Sequence, residues 1–299
     1  MWSASDFVGK KMDFGIFAAL ISAASWGLGT VIFEKISKKL PAAEITFIKS
    51  TLSVILLFTL TLFTGGLQAV GLRQLTLLAL SGIVGITLGD TLFFMSLKNL
   101  GAKTQVLFFM LGQIFTAVLS FLILGEKITL SQCLGMALIL SGVGFSIFDK
   151  TNNQENKIKG IICSVGAIIC FSMSYIMIKD VMEDVDSVTA SFYRMSSCTV
   201  AMLPGVFFAK KRENVVSALK DKKTSLLFMI NVIVITYGGF LMSVAAIKYL
   251  NVALASILTA TEPIFTLVFV YFINKEKIKL REIIGCVTAF LGITIIILW

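Results

Sequence analysis

Runs of about twenty apolar residues, broken by short polar or glycine-bearing stretches, recur along the whole chain. At a rise of about 1.5 Å per residue each run spans a hydrocarbon core of ~30 Å, so each is read as a transmembrane helix. The first covers Phe14 to Phe33, too long for a secretory signal and without a clear cleavage site. The second runs from Ile45 to Phe63 after a loop holding Lys35, Lys38, Lys39 and Pro41. Lys49 falls just inside it and is expected to snorkel outward. Gly65 and Gly66 interrupt the chain before a third run, Leu72 to Leu97. The turn Lys98-Asn99-Leu100-Gly101 leads to a fourth from Lys103 to Leu124, and Gly125-Glu126-Lys127 leads to a fifth from Leu130 to Phe148.

The most polar stretch, residues 149–159, falls at the midpoint and reads as a linker. Beyond it the first half repeats. Gly15-Ile16 matches Gly160-Ile161, Trp26 matches Phe171, and Phe47-x-Lys49 matches Phe192-x-Arg194. Lys98, Glu126-Lys127, Gly135 and Gly142 return as Lys248, Glu276-Lys277, Gly285 and Gly292. Apolar segments match by chance in leucine and valine; matched charges and glycines are harder to obtain that way. The expected fold is an all-α integral membrane protein of ten transmembrane helices. It consists of one five-helix repeat over 13–148 and a second over 160–298. An odd number of spans per repeat inverts the second half relative to the first, the plan of secondary transporters.

Composition agrees with this class: 57% of the 299 residues are hydrophobic and 14% charged, against about 25% charged in soluble domains. The net charge of +9 comes from cations gathered between the apolar runs, which suits anionic headgroups and excludes nucleic acid as a partner. Loops on one face carry Lys35, Lys38, Lys39, Lys150, Lys157, Lys159, Lys210, Lys211, Arg212 and the lysines after residue 274. The positive-inside rule then places both termini outside, and the short loops fit a bacterial inner membrane. Histidine is absent and the five cysteines lack ligand spacing, so no metal and no cofactor are expected.

Candidate chemistry lies inside the spans. Ser22, Trp26 and Thr30 recur at i, i+4 and i+8 on the first helix, giving a polar and aromatic face. Thr87, Asp90 and Phe94 share a face of the third, and Gly85-x-x-x-Gly89 permits close helix approach there. An aspartate at that depth either lines a cavity or pairs with a nearby lysine such as Lys98. In the stretch from Ala253 to Lys277, Thr259 and Glu262 belong to a polar stripe and Pro263 follows directly. A carboxylate near the bilayer centre costs roughly 2.5–3.5 kcal/mol and needs a water-lined cavity, a partner or a proton. A proline there frees a carbonyl one turn earlier and bends the helix.

Trp26, Leu97-Lys98-Asn99-Leu100-Gly101-Ala102, Gly125-Glu126-Lys127 and Glu262-Pro263, set in two five-helix halves, resemble the EamA-type branch of the drug/metabolite transporter superfamily. The resemblance covers essentially the whole chain. It implies a central cavity lined by helices one, three and four with six, eight and nine, while five and ten pack peripherally. It also marks a departure, since Gln113 stands where family first halves often carry proline. Tyr175 and Tyr237 would add aromatic walls bearing hydroxyls. The expected function is a proton-coupled exporter of amino-acid-like or other small amphipathic solutes by alternating access. Glu262 and Asp90 would exchange protons against a substrate that also meets Trp26, Thr30, Phe94, Gln113, Tyr175, Tyr237, Thr259 and Pro263. The alternatives are an importer or exchanger of sugars or other metabolites, a membrane-embedded enzyme using the two carboxylates, and a non-transporting scaffold. An enzyme is disfavoured because no Gly-x-Ser-x-Gly, Walker lysine or metal cluster is present. The assembly is expected to be a monomer or a homodimer.

Overall fold

The structure, a computed structural model, describes residues 4–63, 65–112, 114–115, 129–147, 154–178, 181–206, 209–250, 258–259 and 261–298. No strand occurs among them. Helix α1 (Ala4–Ser37) begins before the apolar run, and α2 (Ala42–Phe63) follows after a short turn. Helix α3 (Leu72–Ser81) continues through a π-helical segment (Gly82–Asp90) into α4 (Thr91–Met110). Helix α5 covers Leu130–Ile147. Helix α6 (Gln154–Ile178) begins inside the polar stretch 149–159. After it come α7 (Ser187–Val206), the short α8 (Ala209–Lys220) and α9 (Lys222–Ile233). A second π segment (Val234–Leu241) joins α9 to α10 (Met242–Tyr249). Helix α11 (Glu262–Phe269), a third π segment (Val270–Asn274) and α12 (Leu280–Leu298) complete the order. Five of the described segments are long and apolar enough to cross a bilayer: Asp13–Ser37, Ala42–Phe63, Leu72–Met110, Glu155–Ile178 and Lys222–Leu241.

Large apolar side chains such as Ile55, Phe58, Leu62, Leu88, Leu226 and Ile230 lie exposed along these spans. In water such a surface would drive aggregation; in a bilayer it is the lipid face.

The two halves pack crosswise and reciprocally. Helix α1 lies against the second π segment, α10 and α11, while α6 lies against the first π segment and α4. Gly15 of α1 accommodates Leu250 and Tyr249, and its counterpart Gly160 of α6 accommodates Leu100 and Asn99. The Asn231 amide donates to the Gly29 carbonyl at 3.1 Å, and the Ser174 hydroxyl donates to the Ser81 carbonyl at 2.9 Å. These bonds join the same pair of repeat positions, with the donor on opposite helices. Glycine alternates in the same way: Gly29 leaves room for Ile235, and Gly85 leaves room for Ser174. The first and second π segments fall at matched places in the two repeats. Wide turns of this kind free carbonyls and gather at functional positions.

At the cation-rich end, Glu34 is 3% exposed and joins three parts of the chain. It takes a 2.7 Å ion pair from Lys38, a 2.9 Å hydrogen bond from the Asn274 amide and a 3.3 Å bond from the Ala102 N–H. Lys103 bridges to Glu276 and Glu282, each at 3.3 Å. Asp221 caps α9 through the Lys223 N–H, and its carboxyl is held below the usual range first by the Thr224 hydroxyl. At the opposite end, Gln68 donates to the Asp184 carbonyl at 2.7 Å and accepts from the Asp186 N–H at 2.9 Å, tying the loop after α2 to the loop before α7.

Gly101 divides α4 at φ 76°, ψ 164°, backbone that essentially only glycine adopts. The Gly101→Ala variant should lose about 1–3 kcal/mol of stability. Thermal unfolding in detergent reads this out, and an unchanged midpoint would show that the turn tolerates a side chain.

Candidate functional site

Pro263 lacks the N–H that would reach the carbonyl of Thr259 and cannot continue a helix from residue 259. In the first turn of a helix the missing donor costs nothing. The chain accordingly turns at Thr261 (φ −76°, ψ −3°), and α11 starts at Glu262. The Ile264 N–H reaches the Thr261 carbonyl at 2.9 Å. A helix N-terminus thus forms with a carboxylate in its first turn, where the peptide dipoles favour negative charge. Glu262 is half-buried, and among the described residues no cation lies in ion-pair contact with it.

Gly27, a residue sequence reasoning passed over, sets how close this turn comes to α1. A Cβ there would lie 2.9 Å from Thr266 Oγ1 and 3.2 Å from the Glu262 carbonyl oxygen. The only signal available was a glycine between Trp26 and Leu28 in the middle of a span. Trp26 is half-buried and packs flat enough on Gly239 that a Cβ there would meet the indole at 3.1 Å. Ser22 donates to the Gly239 carbonyl at 2.7 Å, and Thr30 is 6% exposed. Ser22 and Trp26 of that face therefore meet the second π segment at Gly239.

On the other half, Phe109 stands 5.6 Å from Phe171, the repeat counterpart of Trp26, and 5.0 Å from Phe93. These three rings are half-buried and form an aromatic wall crossing from one half to the other. Phe94 is elsewhere: at 1% exposure it packs against Phe33 at 4.7 Å in the main core. One residue along a helix turns a side chain by about 100°, which is why Phe93 has accessible surface and Phe94 does not.

Asp90 is paired, and its partner is not Lys98, which is exposed. It binds Lys49 of α2, with both side chains 10% exposed. Lys49 therefore does not snorkel outward. Its stem would reach the headgroups from there, but a buried carboxylate attracts the ammonium more strongly than distant solvent. The surroundings are polar, with Thr46 and Thr91 hydroxyls 3.1 Å apart and Thr199 donating to Ser50 at 3.1 Å. In the second half the counterpart cation, Arg194, donates to Ser174 Oγ at 2.9 Å, and Phe240 occupies the place matching Asp90. Tyr237 directs its hydroxyl to the Leu56 carbonyl of α2 at 3.4 Å. Thr259 and Pro263 flank the Glu262 turn, half-buried and buried respectively. Tyr175 lies on α6; Gln113 lies outside the described residues.

Residues 13–148 and 158–298 each match the model of the EamA-like transporter family. The chain belongs to that family. It is an integral, multi-pass membrane protein of two inverted five-helix repeats with a small-molecule substrate. It is 23% identical to an uncharacterized transporter of Haemophilus influenzae, over 85% of this chain and 82% of that one. It is 26% identical to a Lactobacillus helveticus protein whose name proposes sugar uptake, over 95% and 98% of the two chains. A solved crystal structure shares the fold at a TM-score of 0.64 and 14% identity, covering 93% of this chain and 95% of the other.

Proposed function

We propose that this EamA-family transporter is a proton-coupled exporter of amino-acid-like or other small amphipathic solutes. The observation that carries the reading is Glu262: a carboxylate at an intramembrane helix start, with no cation in contact among the described residues. Asp90, by contrast, has its charge taken up by Lys49. A carboxylate that can lose and regain a proton, in a chain that also carries Trp26 and the Phe93–Phe109–Phe171 wall, suits a solute with an ammonium group and an apolar body. Proton and substrate would compete for Glu262, and the two halves would rock about the site to expose it alternately. On this reading the cation-rich loops face the cytoplasm, both termini lie outside, and the host membrane is a bacterial inner membrane.

Profiling the medium of cells overproducing the native protein beside cells producing Glu262→Gln tests this. A metabolite enriched only with the native protein is the expected result, and it would name the substrate class. Equal export by the variant would remove Glu262 from coupling. The second reading, import of a sugar, rests on the Lactobacillus helveticus relative. Uptake of labelled hexoses in the absence of any exported metabolite would favour it.

A further inference from the structure

Helix α8 is short and basic, and it lies at the cation-rich end. It joins α7 to α9. Its inner side is anchored: Val215 and Ala218 are buried in the main core with Leu40, Ile45 and Phe228. The Asn214 amide also donates to Glu44 of α2 at 3.3 Å. Its outer side is of two kinds. Val216 and Leu219 are 40% and 45% exposed, a pair of apolar side chains on a helix of otherwise polar surface. Arg212 and Lys220 are exposed on the same helix, with Lys222 and Lys223 at the start of α9. The exposed acids nearby are Glu213 and Asp221, and Asp221 is engaged by Thr224 and, at 3.9 Å, by Lys39.

From this surface we infer that α8 is a binding site for anionic phospholipid headgroups. Val216 and Leu219 enter the boundary of the acyl chains while Arg212, Lys220, Lys222 and Lys223 hold the phosphates. An amphipathic basic helix lying in the interface plane combines the two forces that bind such lipids: apolar burial, and attraction of cations to a negative surface. The neighbouring spans continue the apolar part, since Leu203 of α7 and Leu226 and Met229 of α9 are also exposed. Because Asn214, Val215 and Ala218 fix α8 to the core formed with α1 and α2, bound lipid would load directly onto the first half of the protein.

Native mass spectrometry of the full-length protein in detergent, titrated with phosphatidylglycerol and with phosphatidylcholine of identical acyl chains, tests the site. The native protein should retain phosphatidylglycerol about tenfold more strongly, and a variant combining R212Q, K220Q, K222Q and K223Q should lose that preference. The corresponding lysine-to-arginine variant should keep it. Val216→Ser with Leu219→Ser should weaken both lipids alike. Equal retention of the two lipids by the native protein would overturn the inference, as would a preference that survives the four charge removals. Displacement by millimolar inorganic phosphate but not by equivalent chloride would reassign the site to free phosphate.

Discussion

Lys49→Met is expected to lower the melting temperature of the detergent-solubilised protein by on the order of 10 °C, and adding Asp90→Asn should restore most of the loss. The reasoning concerns what is left behind. With Lys49 removed, the Asp90 carboxylate stays at 10% exposure with its counter-charge gone. Removing one partner of a buried pair costs about 3–5 kcal/mol, whereas removing both charges is often close to neutral. The double variant therefore separates charge from packing. If it is as unstable as Lys49→Met alone, packing of the lysine stem carries the effect and the pair's charge does not.

Gly142→Val and Gly292→Val should each destabilise by about 1–3 kcal/mol, through equivalent collisions. A Cβ on Gly142 would lie 2.7 Å from the Ala289 nitrogen of α12, and one on Gly292 would lie 2.9 Å from the Ile139 nitrogen of α5. In both cases the obstacle is backbone, which cannot rotate away. Gly142 and Gly292, and Ile139 and Ala289, are repeat counterparts, so the two lesions lie in one two-fold contact. Once the helices have been forced apart at one point, the second side chain meets less resistance. The double variant should therefore cost less than the two singles added together. Strict additivity in thermal unfolding would argue that α5 and α12 yield locally and do not separate as units.

Part of this was legible in the residues alone. The spans followed from run length, and the repeat followed from charges and glycines that recur in step. Gly135, Gly142, Gly285 and Gly292 were visible as one-sided small residues, and their packing follows that pattern. Glu262-Pro263 was visible because a charge and a breaker in an apolar run are each expensive and here adjoin. The partner of Asp90 was not visible. Lys49 lies 41 residues away on another helix, and spacing along one helix speaks only to its own faces. Glu34 escaped for the same reason: beside Lys35 and Lys38 it resembles an ordinary helix-end charge, yet Asn274 comes to it from 240 residues away. The π segments escaped because their apolar sequences carry no period that tells a wide turn from an α-helical one.

The alternation of glycine between the two crosswise contacts bears on how the chain came to be. Gly29 faces Ile235, while at the matching contact Ser174 faces Gly85. Each contact has room for one side chain, and the two have filled it from opposite sides. Starting from a symmetric ancestor, neither arrangement converts to the other by a single substitution, since filling the second side first would collide. The permitted route passes through glycine on both helices, a looser joint that either half could tighten in its own way. The two repeats therefore solve the same packing problem with different residue pairs. Grafting one half's residues onto the other would have to move them in pairs.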